Sequence, residues 1–334
     1  MSFPTPRATM GVVAAVMVLV AGACSAEGTT GGDPQAAPAS ASAPLEPTAP
    51  VAGLPAWQAR ASLGIPRDDF GTAVVGKEIW ILGGMSGDRG SRLDTIEIYD
   101  TRTDSWRFFD KEMPEGLASF EATAIGDKVY VFGGLDGNTE ASDFSAVLDT
   151  STGKWRKLAP LPEPRYAHTV TLHDGLIYVI GGEGRRGPVK QVDIYHPDTG
   201  AWSTGAPMPK ARGSHDAVSV GDVLYVLGGW LGSGPTGLVQ TYAADADRWA
   251  LAERLPEPVS RAGAAVLDGR VWVSFHKFSS VLDPDDGTWS PANPLTVSRH
   301  GLGYVTVGSR IYGIGGCTET PLRDVRSVDV LELT

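Results

Sequence analysis

The 334-residue chain carries 28 basic residues against 39 acidic ones, a formal net charge of −11. That balance excludes a general nucleic-acid or anionic-membrane binder, which needs a basic face. Forty-two glycines and 24 prolines suit a chain of turns and short strands, and no convincing amphipathic helix follows residue 60.

In chain order, residues 1–23 read as an export signal. The apolar run GVVAAVMVLVAGA is too short to span a bilayer. It closes on VAGAC, which resembles the lipobox of bacterial lipoproteins and implies that Cys24 becomes the lipidated first residue of the mature chain. Ala21 stands where leucine is usual, and Arg7 is the one basic side chain before the run. Simple cleavage and a retained anchor are the alternatives, and each places the rest of the chain outside the cytoplasm. Residues 24–54 are rich in Ala, Pro, Ser and Gly, with too few large apolar residues to bury, so they read as a flexible tether. The one other cysteine is Cys317. With Cys24 acylated no intrachain disulfide forms, and Cys317 reads as a packed or idle thiol.

Past residue 55 a single event recurs. Strand-forming runs end on glycine pairs: Gly83-Gly84, Gly133-Gly134, Gly181-Gly182, Gly228-Gly229 and Gly315-Gly316. VWVSFH occupies the expected place between the last two, with Ser274 and Phe275 instead of glycines. Tryptophans follow at intervals of roughly fifty residues, Trp106, Trp155, Trp202 and Trp249, with Trp289 after a shorter step. Each repeat holds four strand candidates: a small-residue run such as HTVTL, the run ending in glycines, an aromatic third strand such as VDIYH, and the tryptophan strand. Four antiparallel strands repeated radially make a propeller blade.

The glycine pair, the Tyr-Asp type of third strand and the spaced tryptophan resemble the kelch repeat. The resemblance covers residues 55–334 and implies an all-β fold, a six-bladed kelch β-propeller. Glycine suits a crowded turn because it lacks a Cβ and accepts positive φ. The tryptophans and tyrosines fill the space between blades, so Trp202→Ala is expected to cost roughly 3–5 kcal/mol. Trp57 has the character of a tryptophan strand without a preceding glycine pair, and the last repeat lacks a tryptophan strand. The N-terminal strand is therefore expected to complete the last blade and close the ring.

Loops on such a scaffold carry function. Ahead of five first strands stands an arginine: Arg67, Arg165, Arg212, Arg261 and Arg299. Around an axis these would collar one mouth of the channel and suit carboxylate or phosphate groups; the alternative is that they pair with nearby acids and brace the loops. Kelch domains that bind acidic peptides use arginines at such a station. Three residues on, His168 and His215 face the channel from adjacent blades as candidate ligand contacts. Trp230, off the tryptophan register, reads equally as an aromatic sugar platform beside the arginines or as a cover for the rim. No close-spaced ligand set points to a metal, and no motif calls for a cofactor. The reading is a tethered, monomeric propeller that binds a protein or cell-envelope glycan, with no nucleophile–base set evident. The alternatives drawn from the resemblance are an enzyme on an acidic sugar, like the sialic-acid mutarotases, and a copper oxidase like galactose oxidase, whose cysteine-linked tyrosine and histidine set does not assemble here.

Overall fold

The structure, a computed structural model, describes residues 52–87, 90–319 and 322–333. The export signal, Cys24 and the tether through residue 51 lie outside the described residues.

Six four-stranded antiparallel sheets are arranged as blades. The first strands, Gly71–Val75, Ala122–Ile125, Thr169–His173, Asp216–Val220, Gly263–Leu267 and Gly303–Val307, neighbour one another around a central channel. Second strands such as Lys128–Phe132 and Leu176–Ile180 are apolar almost throughout because adjacent blades cover both faces. The outermost strands, Ser105–Phe108, Lys154–Lys157 and Ala201–Thr204, are polar, and in each only the tryptophan is partly buried.

The ring closes as the sequence implies. The last blade takes its fourth strand from Gln58–Ala59, with Gln58 opposite Val330 and Ala59 opposite Asp329. One bond recurs around the disc. The indole nitrogens of Trp106, Trp155, Trp202, Trp249 and Trp289 donate to the carbonyls of Ala61, Glu112, Ala159, Ala206 and Glu253, each in the preceding blade's outer linker, at 2.7–3.3 Å. Trp57 makes the same bond to Asn293 O at 2.8 Å, across 236 residues of sequence. The Asn293 amide in turn donates to Leu54 O and Pro55 O at 3.1 and 3.0 Å, clamping the incoming chain.

The fully buried rings between the blades include Tyr99, Tyr195, Tyr242 and Phe132, each with a tryptophan 4.9–5.1 Å away. Trp202 itself is only partly buried. This lowers the expected cost of Trp202→Ala to about 2 kcal/mol, one hydrogen bond plus partial burial.

The glycine pairs meet two demands at once. Gly133 has φ of 61°, and a Cβ there would stand 2.6 Å from Arg165 O of the next blade. The fifth blade escapes the demand. Its second strand runs on through Ser274 and Phe275, and Phe275 faces Phe278 across a two-residue turn with His276 at φ 51°.

Candidate functional site

Register at the mouth is set by a backbone bond from each second glycine to the next blade. Gly84, Gly134, Gly182, Gly229 and Gly316 donate to the carbonyls of Leu117, Arg165, Arg212, Val259 and Arg67 at 2.8–2.9 Å, and His276 donates to Arg299 at 2.9 Å. Val259 therefore holds the station in the fifth blade, and Arg261 lies two residues beyond it. The collar of five equivalent arginines is corrected on this point: the first strand starts four residues after the other arginines but two after Arg261.

The remaining four do not face the mouth. Arg67, Arg165, Arg212 and Arg299 are at most 1 % exposed. Each runs into its own blade and donates to a second-strand or glycine carbonyl: Gly83, Val179, Gly228 and Gly313. Each also meets the second residue of its third strand, 28–30 positions on in sequence. These partners are Glu97 (2.7 Å), Asp193 (2.5 Å), Gln240 (2.5 Å) and Asp329 (2.8 Å), all buried. Burial lowers the pKa of Arg67 and Arg165 while the facing carboxylates work against it. Arg212 faces a neutral amide, and burial takes it down to about 10. The two blades without the arginine have Leu117 and Val259 at the station and Ala146 and Ser280 at the partner position. Within one chain, arginine occurs with a buried polar partner, and its absence with a small one. These are internal braces, since a guanidinium buried without partners would be costly.

The mouth is made two residues later. Asp69, Ser119, Ala167, Ser214, Arg261 and Gly301 all have left-handed backbone, φ 51–61°. Each N–H donates to the carbonyl of its counterpart one blade back: Ser119 to Asp69, Ala167 to Ser119, Ser214 to Ala167, Arg261 to Ser214, Gly301 to Arg261, and Asp69 to Gly301, at 2.7–2.9 Å. The result is a closed annulus of six backbone hydrogen bonds. All six residues line a cavity of about 290 Å³ at the channel mouth, with Phe70, Phe120 and Leu302 below them and Arg92, Thr139 and Tyr166 among the rim residues.

Arg261 is the one predicted arginine in this cavity. Its Nε donates to Asp69 Oδ1 at 2.9 Å and its Nη2 meets Asp68 Oδ2 at 2.8 Å, two blades away round the ring. Gly301 permits the crossing, because a Cβ there would lie 2.9 Å from Arg261 Nη2. Burial alone would lower the Arg261 pKa, but Asp69 and Asp68 outweigh it and raise it. Asp68, fully buried, is raised well above the usual carboxylate range by burial and by Asp69, with Arg261 opposing.

Arg92 was not among the predicted site residues. It belongs to a small ribbon, Met85–Ser86 paired with Ser91–Arg92, in the loop between the second and third strands of the first blade. It makes no ion pair among the described residues, bonds the Gly90 carbonyl, and leaves its Nε without a partner. Burial lowers its pKa although Asp69, Asp68 and Asp136 act in the opposite sense. No sequence signal marks it, because its place depends on how the ribbon lies.

His168 and His215 line the cavity but serve the blade interfaces, at the station that Phe70, Phe120 and Leu302 fill elsewhere. His168 Nε2 lies 2.9 Å from Phe132 O, and burial takes both rings down to about 3, so they are neutral. Trp230 does not line the cavity; its backbone pairs with Gly213, at 2.7 Å from Trp230 N to Gly213 O. Cys317 is fully buried.

Comparison with known proteins agrees with this architecture. A family profile described as "KLHDC2/KLHL20/DRC7 Kelch-repeats domain" matches residues 69–275 and again 120–316. Kelch-like protein 41 of Mus musculus is 30% identical over 36% of this chain and 20% of its own length. N-(sulfonatooxy)prop-2-enimidothioate sulfolyase of Thlaspi arvense is 30% identical over 36% of this chain and 37% of its own length. The matched part of this chain thus spans about a fifth to just over a third of these relatives. The solved structure of YjhT superposes with a TM-score of 0.71 at 16% identity, covering 82% of this chain and 97% of that one, a likeness of fold.

Proposed function

The chain belongs to the kelch-repeat family, and from that premise we propose that it is an exported, membrane-tethered propeller that binds a protein or cell-envelope glycan at the mouth of its channel. The observation that carries this reading is the annulus cavity. Six left-handed residues hold a rigid, polar-rimmed opening of about 290 Å³ over apolar rings, room for one sugar ring or a side chain. Rim hydroxyls on Ser119, Thr139, Ser214 and Tyr166 offer hydrogen bonds, and Phe70 and Phe120 offer apolar faces. The export signal and an acylated Cys24 would hold the disc outside the cytoplasm at the end of the tether. An acylated Cys24 and a Cys24–Cys317 disulfide exclude each other, so the mass of the mature chain under non-reducing conditions separates them.

Arg92 supports the alternative reading, an enzyme on an acidic sugar, because a half-buried guanidinium without an ion pair suits a ligand carboxylate. The four internal arginines lend that reading nothing. The test is a panel of envelope glycans and acidic monosaccharides, together with surface cross-linking, for wild type and Arg92→Ala. A melting-temperature rise with an acidic sugar that Arg92→Ala removes supports the alternative. Retrieval of one protein or neutral glycan supports the binding reading, and no ligand of either kind in any arm contradicts both.

A further inference from the structure

The last residue of the first strand is apolar in five blades, Val75, Ile125, Val220, Leu267 and Val307, but it is His173 in the third. These residues lie at the end of the channel away from the mouth, one position before the tight turn to the second strand. His173 is 3 % exposed, and its ring stands edge-on to Tyr178 at 5.9 Å. Its Nδ1 lies 2.8 Å from Ser219 Oγ of the fourth blade, 46 residues on in sequence. Its Nε2 lies 3.5 Å from Asp174 Oδ2 and has no hydrogen-bond partner among the described residues. Asp174 follows His173 in the chain, at φ 48° in the turn with Gly175. A serine, a histidine and an aspartate thus stand in series, in the order of a nucleophile, its base and the group that orients the base. No local motif reports the set, because its nucleophile comes from the next blade.

The serine is also reachable. Ser219 is partly exposed and lines a cavity of about 410 Å³ in the channel, with Val74, Ala124, Leu172, Val266 and Thr306 at the same level of other blades. At that level Thr306 donates its hydroxyl to the Val266 carbonyl at 2.7 Å, whereas Ser219 Oγ meets an imidazole. Among the described residues no charged side chain lines this cavity. Small, mostly apolar walls suit a short, uncharged acyl chain. The Asp174 carboxylate favours the ring proton on Nε2, which leaves Nδ1 to accept from the Ser219 hydroxyl. The 3.5 Å separation from Asp174 is longer than a hydrogen bond, as such contacts commonly are before substrate binds.

We propose that Ser219, His173 and Asp174 form an esterase site in the channel for short-chain, uncharged esters, independent of any ligand held at the mouth. A small ester reaches it along the channel, with no macromolecule docked on that face. Ser219 Oγ adds to the ester carbonyl carbon while its proton passes to His173 Nδ1. The bond to the alcohol oxygen then breaks, and the alcohol leaves with that proton. Water attacks the acyl-serine, giving a proton to Nδ1; the carboxylic acid departs and Ser219 takes the proton back. Asp174 is a positioning residue, holding the ring through Nε2–H. The test uses the full-length chain in detergent with p-nitrophenyl butyrate as substrate and phenylmethylsulfonyl fluoride as a serine probe. Wild type is expected to hydrolyse the ester and to carry the sulfonyl adduct on the Ser219 peptide. Ser219→Ala and His173→Leu, the latter matching Leu267 of the fifth blade, should each lower the rate by roughly a hundredfold or more. Asp174→Asn should lower kcat by about tenfold and leave KM unchanged. The adduct is read on wild type, so it decides the case even where a variant fails to fold. No adduct on Ser219, or unchanged hydrolysis in folded Ser219→Ala, overturns the site. Loss of stability in His173→Leu with no hydrolysis by wild type overturns it too, and reduces the pair to a tie between two blades.

Discussion

Arg165 shows how a residue type that suggests ligand binding is absorbed by the fold. Its guanidinium spans the second and third strands of its own blade, and Asp193 on the far side is fully buried. Removing one partner strands the other charge, so Arg165→Leu is expected to destabilise by about 3–5 kcal/mol. Adding Asp193→Ala recreates the Leu117 and Ala146 combination of the second blade, and at least half of the loss should return. Urea unfolding midpoints of the two single variants and the double variant check this. A double variant no more stable than Arg165→Leu would contradict the brace.

At the scale of the element, the inner strands are joined by side chains that cap the next blade's backbone, and Asp216 is the clearest case. Its carboxylate accepts two backbone N–H groups, yet burial raises its pKa to about 7. The folded value lies above the unfolded one near 3.9. Between those values the native state holds a proton that the unfolded chain has lost, so stability from this group declines as pH rises toward 7 and levels off above it. Wild type is expected to lose more stability than Asp216→Asn between pH 5 and pH 7.5, measured by urea midpoint; equal losses would contradict the shifted group.

Much of this level was legible in the sequence. Gly133-Gly134 and its counterparts locate the second strands because positive φ and a neighbouring carbonyl admit no other residue, and Trp57 announced the closing strand. The mouth was less legible. VSRAGA and VSRHGL look alike, yet Arg261 and Arg299 take different stations, because register follows backbone bonds to the previous blade and not the nearest arginine. The spacing from Arg67 to Glu97 and from Arg165 to Asp193 could have revealed the internal pairs. Arg92 could not have been found, since nothing local to it in sequence fixes how its ribbon lies.

For the whole molecule, the tryptophan bonds outside and the annulus inside are two concentric closures, and both are completed by residues far apart in the chain. Trp57 with Asn293 closes the outer ring, and Asp69 with Gly301 the inner one. Closure leaves the disc two faces. One carries the annulus and the longer loops; the other carries the tight turns between first and second strands, such as that at Asp222. A ligand site at the mouth requires that only the first face make contact in the cell. The direct measurement is photo-cross-linking on intact cells from a diazirine amino acid placed at Thr139 on the mouth or at Asp222 on the opposite face. A discrete adduct from Thr139 and none from Asp222 is the expected result, and an adduct from Asp222 with none from Thr139 would contradict it.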